Sequence, residues 1–120
     1  MNIKLKTYEK DTQKTIIDWL TVKKIFHYKN NTVGIYKQST GQYIPSPSKG
    51  APDIVAVIQG KYIGIEVKAP NGKQSENQVA FQSNLENAGG LYILAFSVGD
   101  VIDKIAQYQK VINTLTVNRE

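Results

Sequence analysis

The stretch APDIVAVIQGKYIGIEVKAP, residues 51–70, decides how this chain folds. It holds two apolar runs, DIVAVI (53–58) and YIGIEVK (62–68), separated by Gln59, Gly60 and Lys61. Branched and aromatic side chains favour strands, and glycine supplies the positive φ that a tight hairpin needs. A β-hairpin is therefore predicted. With Gln59-Gly60 as a two-residue turn, Ile58 faces Lys61, and counting outward along both strands sets Asp53 opposite Glu66. Directly paired side chains share a face with Cβ atoms about 5 Å apart, and Lys68, two residues beyond Glu66, projects to the same face. A four-residue loop keeps the shared face but sets Asp53 opposite Lys68, whereas a three-residue loop breaks the arrangement.

Two carboxylates so close in a partly buried site repel, and without a partner one of them must take up a proton through a raised pKa. A cation removes the conflict. Lys68 is one candidate, making a cross-strand ion-pair cluster, although such pairs seldom add net stability. A divalent metal is the other. Oxygen ligands with no cysteine and no clustered histidine point to Mg²⁺ or Mn²⁺, which take one or two carboxylates together with water and phosphate oxygens. Lys68 would then face a reacting phosphate. Gly64, on the same face, either leaves room for that approach or marks a place where a helix packs tightly.

The 120 residues, 41% of them hydrophobic, suffice for one core, so a single domain spanning 1–120 is predicted. There is no cysteine, and no run approaches the ~18 apolar residues of a membrane span or a secretory signal. Disulfides, membrane insertion and export lack support, and a cytoplasmic protein is expected, host cytoplasm if the chain is viral. The net charge of +5 favours a polyanionic partner such as nucleic acid, though lysine excess also suits plain solvated surfaces.

Outward from the hairpin, a first helix is predicted over about residues 8–20 with Thr7 as N-cap, and KIFHYKN (24–30) reads as a strand. Residues 30–50 read as a long polar loop. Ser75 with Gln78 forms a capping box for a second helix that Gly89-Gly90 ends. LYILAF (91–96) suits a strand covered on both faces, and about 97–112 forms a last amphipathic helix. The order α-β-β-β-α-β-α implies an α/β fold with a mixed sheet flanked by helices.

Glu9, Gln13, Ile16 and Leu20 lie on one stripe of the first helix, so Glu9 either reaches the metal or favours the first helical turn through the dipole. Gln78 shares a face with Phe81 and Leu85 and so either looks inward or completes the Ser75 capping box. His27, the single histidine, reads as a packed or surface residue. Lys29, Lys37 and Lys49, interleaved with Tyr28, Tyr36 and Tyr43, either contact phosphates and stack on exposed bases or belong to an ordinary basic loop.

Pro52-Asp53 followed by Glu66-Val67-Lys68 resembles the PD-(D/E)XK signature of restriction-endonuclease-like nucleases. Gly50-x-Pro52-Asp53, Ile65-Glu66-Val67-Lys68, Gly72-Lys73-x-Ser75, Gln78 and Gly89-Gly90 before an apolar strand are together similar to the VRR-NUC (virus-type replication-repair nuclease) family. Glu9 before QKTIIDWL resembles that family's leading helix, and HYKNN its first strand; the likeness runs from Tyr8 to about Val101. It implies a restriction-endonuclease-like αβββαβ core, here with an extra C-terminal helix. It also implies cleavage of nucleic-acid phosphodiesters with Mg²⁺ or Mn²⁺ in DNA repair, recombination or bacteriophage replication. By the same resemblance Asp53, Glu66 and the Val67 carbonyl bind metal, Lys68 orients or activates the attacking water, Glu9 and Gln78 assist, and Lys73 joins the lysines that meet DNA. Anionic neighbours favour charged Lys68, so an electrostatic role is expected rather than that of a base.

Stand-alone members of that family suggest an endonuclease acting on branched DNA such as four-way (Holliday) junctions. A homodimer is expected, because one domain offers one site and paired strands need two. The alternative is a non-catalytic basic nucleic-acid-binding module whose Asp53, Glu66 and Lys68 form a structural ion-pair cluster.

Overall fold

Gln59 and Gly60 both carry positive φ, 49° and 80°, and Ile58 pairs with Lys61. The turn is thus the two-residue, primed kind whose twist matches that of its strands. The computed structural model around it describes residues 3–30, 35–44 and 49–118, without the side chains of 35–37, 43–44 and 116–118. In chain order the elements are α1 (Ile3–Val22), β1 (Phe26–Lys29), β2 (Ile35–Lys37), β3 (Gln42–Ile44), β4 (Ile54–Ile58), β5 (Lys61–Val67), α2 (Glu76–Asn87), β6 (Leu91–Ala95) and α3 (Val98–Asn118).

The main sheet has the order β1-β4-β5-β6. β1 and β5 flank β4 antiparallel, while β6 lies parallel to β5, as a strand reached through the crossover helix α2 must. This is a mixed four-stranded sheet flanked by helices, hence an α/β fold. Alternation sorts its residues. Ile54, Ala56, Ile63, Ile65, Val67, Ile93 and Ala95 point to one face, where Ile16 and Leu20 of α1 and Val101 and Ile105 of α3 close over them, each at most 1% exposed. The opposite face carries Asp53, Gly64, Glu66 and Tyr92, with α2 laid across part of it through Leu85, which sits over Gly64 and Gly90. No described helix is long and apolar enough to cross a membrane.

Several boundaries differ from the sequence expectations. α1 starts at Ile3, so Thr7 is an interior residue rather than the N-cap; the preceding Lys-Leu-Lys are good helix formers, and tertiary packing carries the helix through a residue that is only mildly unfavourable. The polar loop over 30–50 contains a second hairpin, β2–β3, in the register Ile35↔Ile44 and Lys37↔Gln42, with Gly41 at φ 68° closing its turn. α3 runs past residue 112 to Asn118. β6 is covered on both faces as expected, since adjacent Tyr92 and Ile93 are both buried.

α2 has the predicted ends. Ser75 Oγ accepts from Gln78 N at 3.2 Å, and Gln78 Oε1 accepts from Ser75 N at 2.8 Å. At the other end Gly89 has φ 92°, Gly89 N donates to Glu86 O and Gly90 N to Leu85 O, the two bonds of a Schellman motif.

Candidate active site

Asp53 stands where the ladder between β4 and β5 runs out. Its last pair is Ile54↔Ile65, and one step further Asp53 faces Glu66. The backbone here is held from several sides. Asn30 N donates to Asp53 O at 2.8 Å, and Asn30 Nδ2 donates to Pro52 O at 3.3 Å. Pro52 is fully buried, its ring so close to Gly64 that a Cβ there would come within 2.6 Å of Cγ. The room above Gly64 is therefore taken by Pro52 and Leu85; the glycine serves packing rather than approach of a substrate. Gly50, at φ 79°, lies directly against the Asn77 and Gln78 backbone, which locks the Pro52-Asp53 segment to the start of α2.

The Asp53 carboxylate bends toward β5, where Oδ2 accepts from Val67 N at 2.9 Å. A residue in an extended strand turns its N–H and C=O to the same neighbour. The Val67 carbonyl hence faces the Asp53 side, while the next amide, Lys68 N, donates the other way to Ala95 O at 2.9 Å.

Glu66 is the one buried charged residue among those described, at 4% exposure, and its Oε1 has no hydrogen-bond partner. Its carboxyl is pushed up to about 9, first by burial, then by the negative charge of Asp53 and a hydrogen bond with it; Glu9 adds to the rise and Lys68 opposes it. In the cation-free protein burial beside Asp53 accordingly favours the protonated form of Glu66 at neutral pH. Lys68 is close enough to be felt yet closes no ion pair with either acid. The sole salt bridge among the described residues is the exposed Lys14–Asp18 pair at 3.1 Å.

Glu9 approaches from the core-side helix α1, around the end of β5, where Oε1 accepts from Ala69 N at 3.1 Å. It contributes charge, but among the described residues no three His, Cys, Asp or Glu side chains form a group that could hold a metal ion. Gln78 has its carboxamide oxygen engaged in the capping box. Lys29, Lys49 and Lys73 are exposed. The side chains of Lys37, Tyr36 and Tyr43 lie outside the described residues. His27 has the parity of the core face and bonds locally, Nδ1 to Ile25 O at 2.8 Å and Nε2 to Thr21 Oγ1 at 3.4 Å.

Tyr92 is a neighbour that the sequence reading missed. It pairs with Gly64 across β5 and β6, points to the Glu66 face, is 5% exposed, and its buried hydroxyl lacks a partner. The Gln74 amide lies near without forming a hydrogen bond to it. Burial holds the phenol up at about 12; nearby Gln74 lowers it, and the charges of Glu66 and Asp53 raise it further. The alternation of LYILA gave its parity, but only the parallel register could set it beside the acids.

The donor set suits a hard dication: two adjacent carboxyl groups, one with an orphaned buried oxygen, a carbonyl turned toward them, and no sulfur or imidazole. No protein-family model matches the chain, and no curated protein matches its sequence.

Proposed function

We propose that this chain is an endonuclease that hydrolyses DNA phosphodiesters with Mg²⁺ or Mn²⁺, acting on branched substrates such as four-way junctions and working as a homodimer. The observation that carries this is the orphaned, buried Glu66 oxygen beside Asp53, on a face that also holds Lys68. A buried oxygen left without a partner costs about 1–3 kcal/mol, so a protein that only bound nucleic acid would do better without it. The lack of an ion pair at Lys68 also speaks against a purely structural charge cluster. The order α1-β1-β4-β5-α2-β6 is consistent with a restriction-endonuclease-like αβββαβ core in which β2–β3 is an insertion and α3 an addition.

Asp53, Glu66 and the Val67 carbonyl would hold the dication, with water and phosphate oxygens completing its shell. When bound, it supplies Lewis-acid polarisation of the phosphate and a lowered pKa for water. The Val67 N–H fixes Asp53 Oδ2 and so keeps this carboxylate aimed during turnover. Glu66 would serve as a ligand in its ionised form, giving up its proton to solvent. Lys68 places a cation beside the phosphate as the P–O bond to water forms and the bond to the leaving sugar oxygen breaks, stabilising the charge that gathers there. Glu9 braces the Ala69 end of the strand that carries these groups.

The test is nicking of a synthetic four-way junction with Mg²⁺ or Mn²⁺, alongside duplex, flap and single-stranded DNA. Asp53→Ala should abolish cleavage. Equal cleavage by that variant would assign the activity to a contaminant, and salt-sensitive binding with no turnover by the unaltered protein would favour the binding module.

A further inference from the structure

The site face of the sheet does not end at the two acids. Phe26 pairs with Val57 and Tyr28 with Val55, positions that share the parity of Asp53, and Tyr62 pairs with Val57 from the other side. Phe26, Tyr28 and Tyr62 therefore gather on the same face as Asp53 and Glu66. Phe26 is 67% exposed and Tyr28 48%, and their rings meet edge to face with centroids 6.4 Å apart. The Tyr62 hydroxyl is held above its ordinary range by burial and by Tyr28, which makes the two phenols neighbours. α2 packs along β6, at the far side of the sheet, and β1 is the edge strand. Aromatic surface left this open marks a place where something docks.

We propose that Phe26, Tyr28 and Tyr62 form a stacking platform for unpaired bases of a DNA strand whose backbone runs into the Asp53–Glu66 site. This rests on the nuclease reading and narrows its substrate to DNA with single-stranded character beside the cut. Continuity fixes the occupant. Val55 and Val57 lie two and four residues from Asp53 on one strand, so Tyr28 and Phe26 stand about 7 Å and about 13 Å along the sheet from the acid. The chain carries a net charge of +5, suited to a phosphate backbone. Exposed rings stack on any base, but only on bases outside a duplex, whose faces are already covered by their neighbours. A junction, flap or gap presents such bases, whereas intact duplex does not.

Anisotropy titrations of labelled oligothymidylate, oligouridylate and a blunt duplex, in chelator and on a Glu66→Gln background, read binding apart from cleavage. The double variant Phe26→Ser, Tyr28→Ser should lose about tenfold or more in affinity for oligothymidylate relative to duplex, while Phe26→Trp, Tyr28→Phe should retain it. Both positions are exposed, so circular dichroism should show an unchanged fold. An unchanged ratio, an equal loss on duplex, or tighter binding of oligouridylate would overturn the proposal. So would a fall in oligomeric state on sedimentation, which would give the face to a second copy of the chain. If the unaltered protein cuts nothing yet the double variant loses single-strand binding, the nuclease reading falls and the platform stands; normal cutting with an unchanged ratio removes the platform alone.

Discussion

Strand β5 carries two faces that obey different rules. On one, Ile63, Ile65 and Val67 are wholly apolar, at most 1% exposed, and covered by α1 and α3. On the other, Tyr62, Gly64, Glu66 and Lys68 stand in a polar row that includes the one buried acid with an orphaned oxygen. A shift of one residue in register would exchange the two sets completely. The core face supplies a rigid platform, and the site face uses that rigidity to keep unfavourable groups in place. Local rules of burial and polar satisfaction are broken on that side of the strand, where the proposed nuclease chemistry would need them broken.

The sharpest way to break this contrast is from below. Ile65→Ala removes a fully buried side chain from the core beneath α1 and α3 and should cost about 2–5 kcal/mol in urea unfolding. A cost below about 1 kcal/mol would mean that the core face is not what holds the site. Gly64→Ala tests the other side of the same strand. Its new methyl would meet the Pro52 ring and should cost about 1–3 kcal/mol, with a displaced Asp53 and reduced junction cleavage. If the variant is as stable and active as the parent, the Pro52-Asp53 segment is not braced on Gly64.

The third test uses protons. Glu66 has its carboxyl raised to about 9 from an ordinary 4.5, so between those values the folded protein holds a proton that the unfolded chain has released. The contribution of Glu66 to folding stability is then fullest below the ordinary carboxyl range and is lost as pH rises toward about 9. Thermal unfolding in chelator should show Tm declining over that window. Glu66→Gln should flatten the profile and exceed the parent at pH 8, and Mg²⁺ or Mn²⁺ should raise Tm for the parent but not for the variant. A parent profile as flat as the variant's would mean that Glu66 is not buried against Asp53.

The elements that could be read from the chain are those fixed by local chemistry. Gln59-Gly60 names its own turn, and turn parity carries Asp53, Glu66 and Lys68 to one face without further information. Ser75, Gln78 and Gly89-Gly90 mark both ends of α2 in the same way. Other features depend on contacts distant in sequence. α1 begins five residues before its predicted start at Tyr8. Tyr8 Oη reaches Phe96 O at 2.8 Å, a contact that no sequence window contains. The β2–β3 strands have three residues each, too short for alternation to stand out among Asn, Ser and Gly. Tyr92 joins the acids through a parallel register that hydrophobic pattern does not specify. Glu9 was legible as a residue facing inward, but its bond to Ala69 N spans 60 residues.

Gln78 provides the finest test, because two roles compete for one side chain. Its carboxamide oxygen is bound to Ser75 N at 2.8 Å, which leaves its NH₂ as the part able to meet substrate. Gln78→Ala removes both and should cost about 1 kcal/mol or less of stability, the scale of a helix cap. Gln78→Glu keeps an acceptor for Ser75 N, since glutamate completes a capping box as well as glutamine does, but it has no NH₂ to donate. If the cap is the residue's work, Gln78→Glu should recover the stability lost in Gln78→Ala and cleave within about threefold of the parent. A variant that recovers its Tm yet loses cleavage by the hundredfold order that a group acting on the reacting atoms contributes would return Gln78 to the chemistry. The two measurements separate because the cap oxygen supports the fold with no DNA present, whereas a catalytic NH₂ is needed only during turnover.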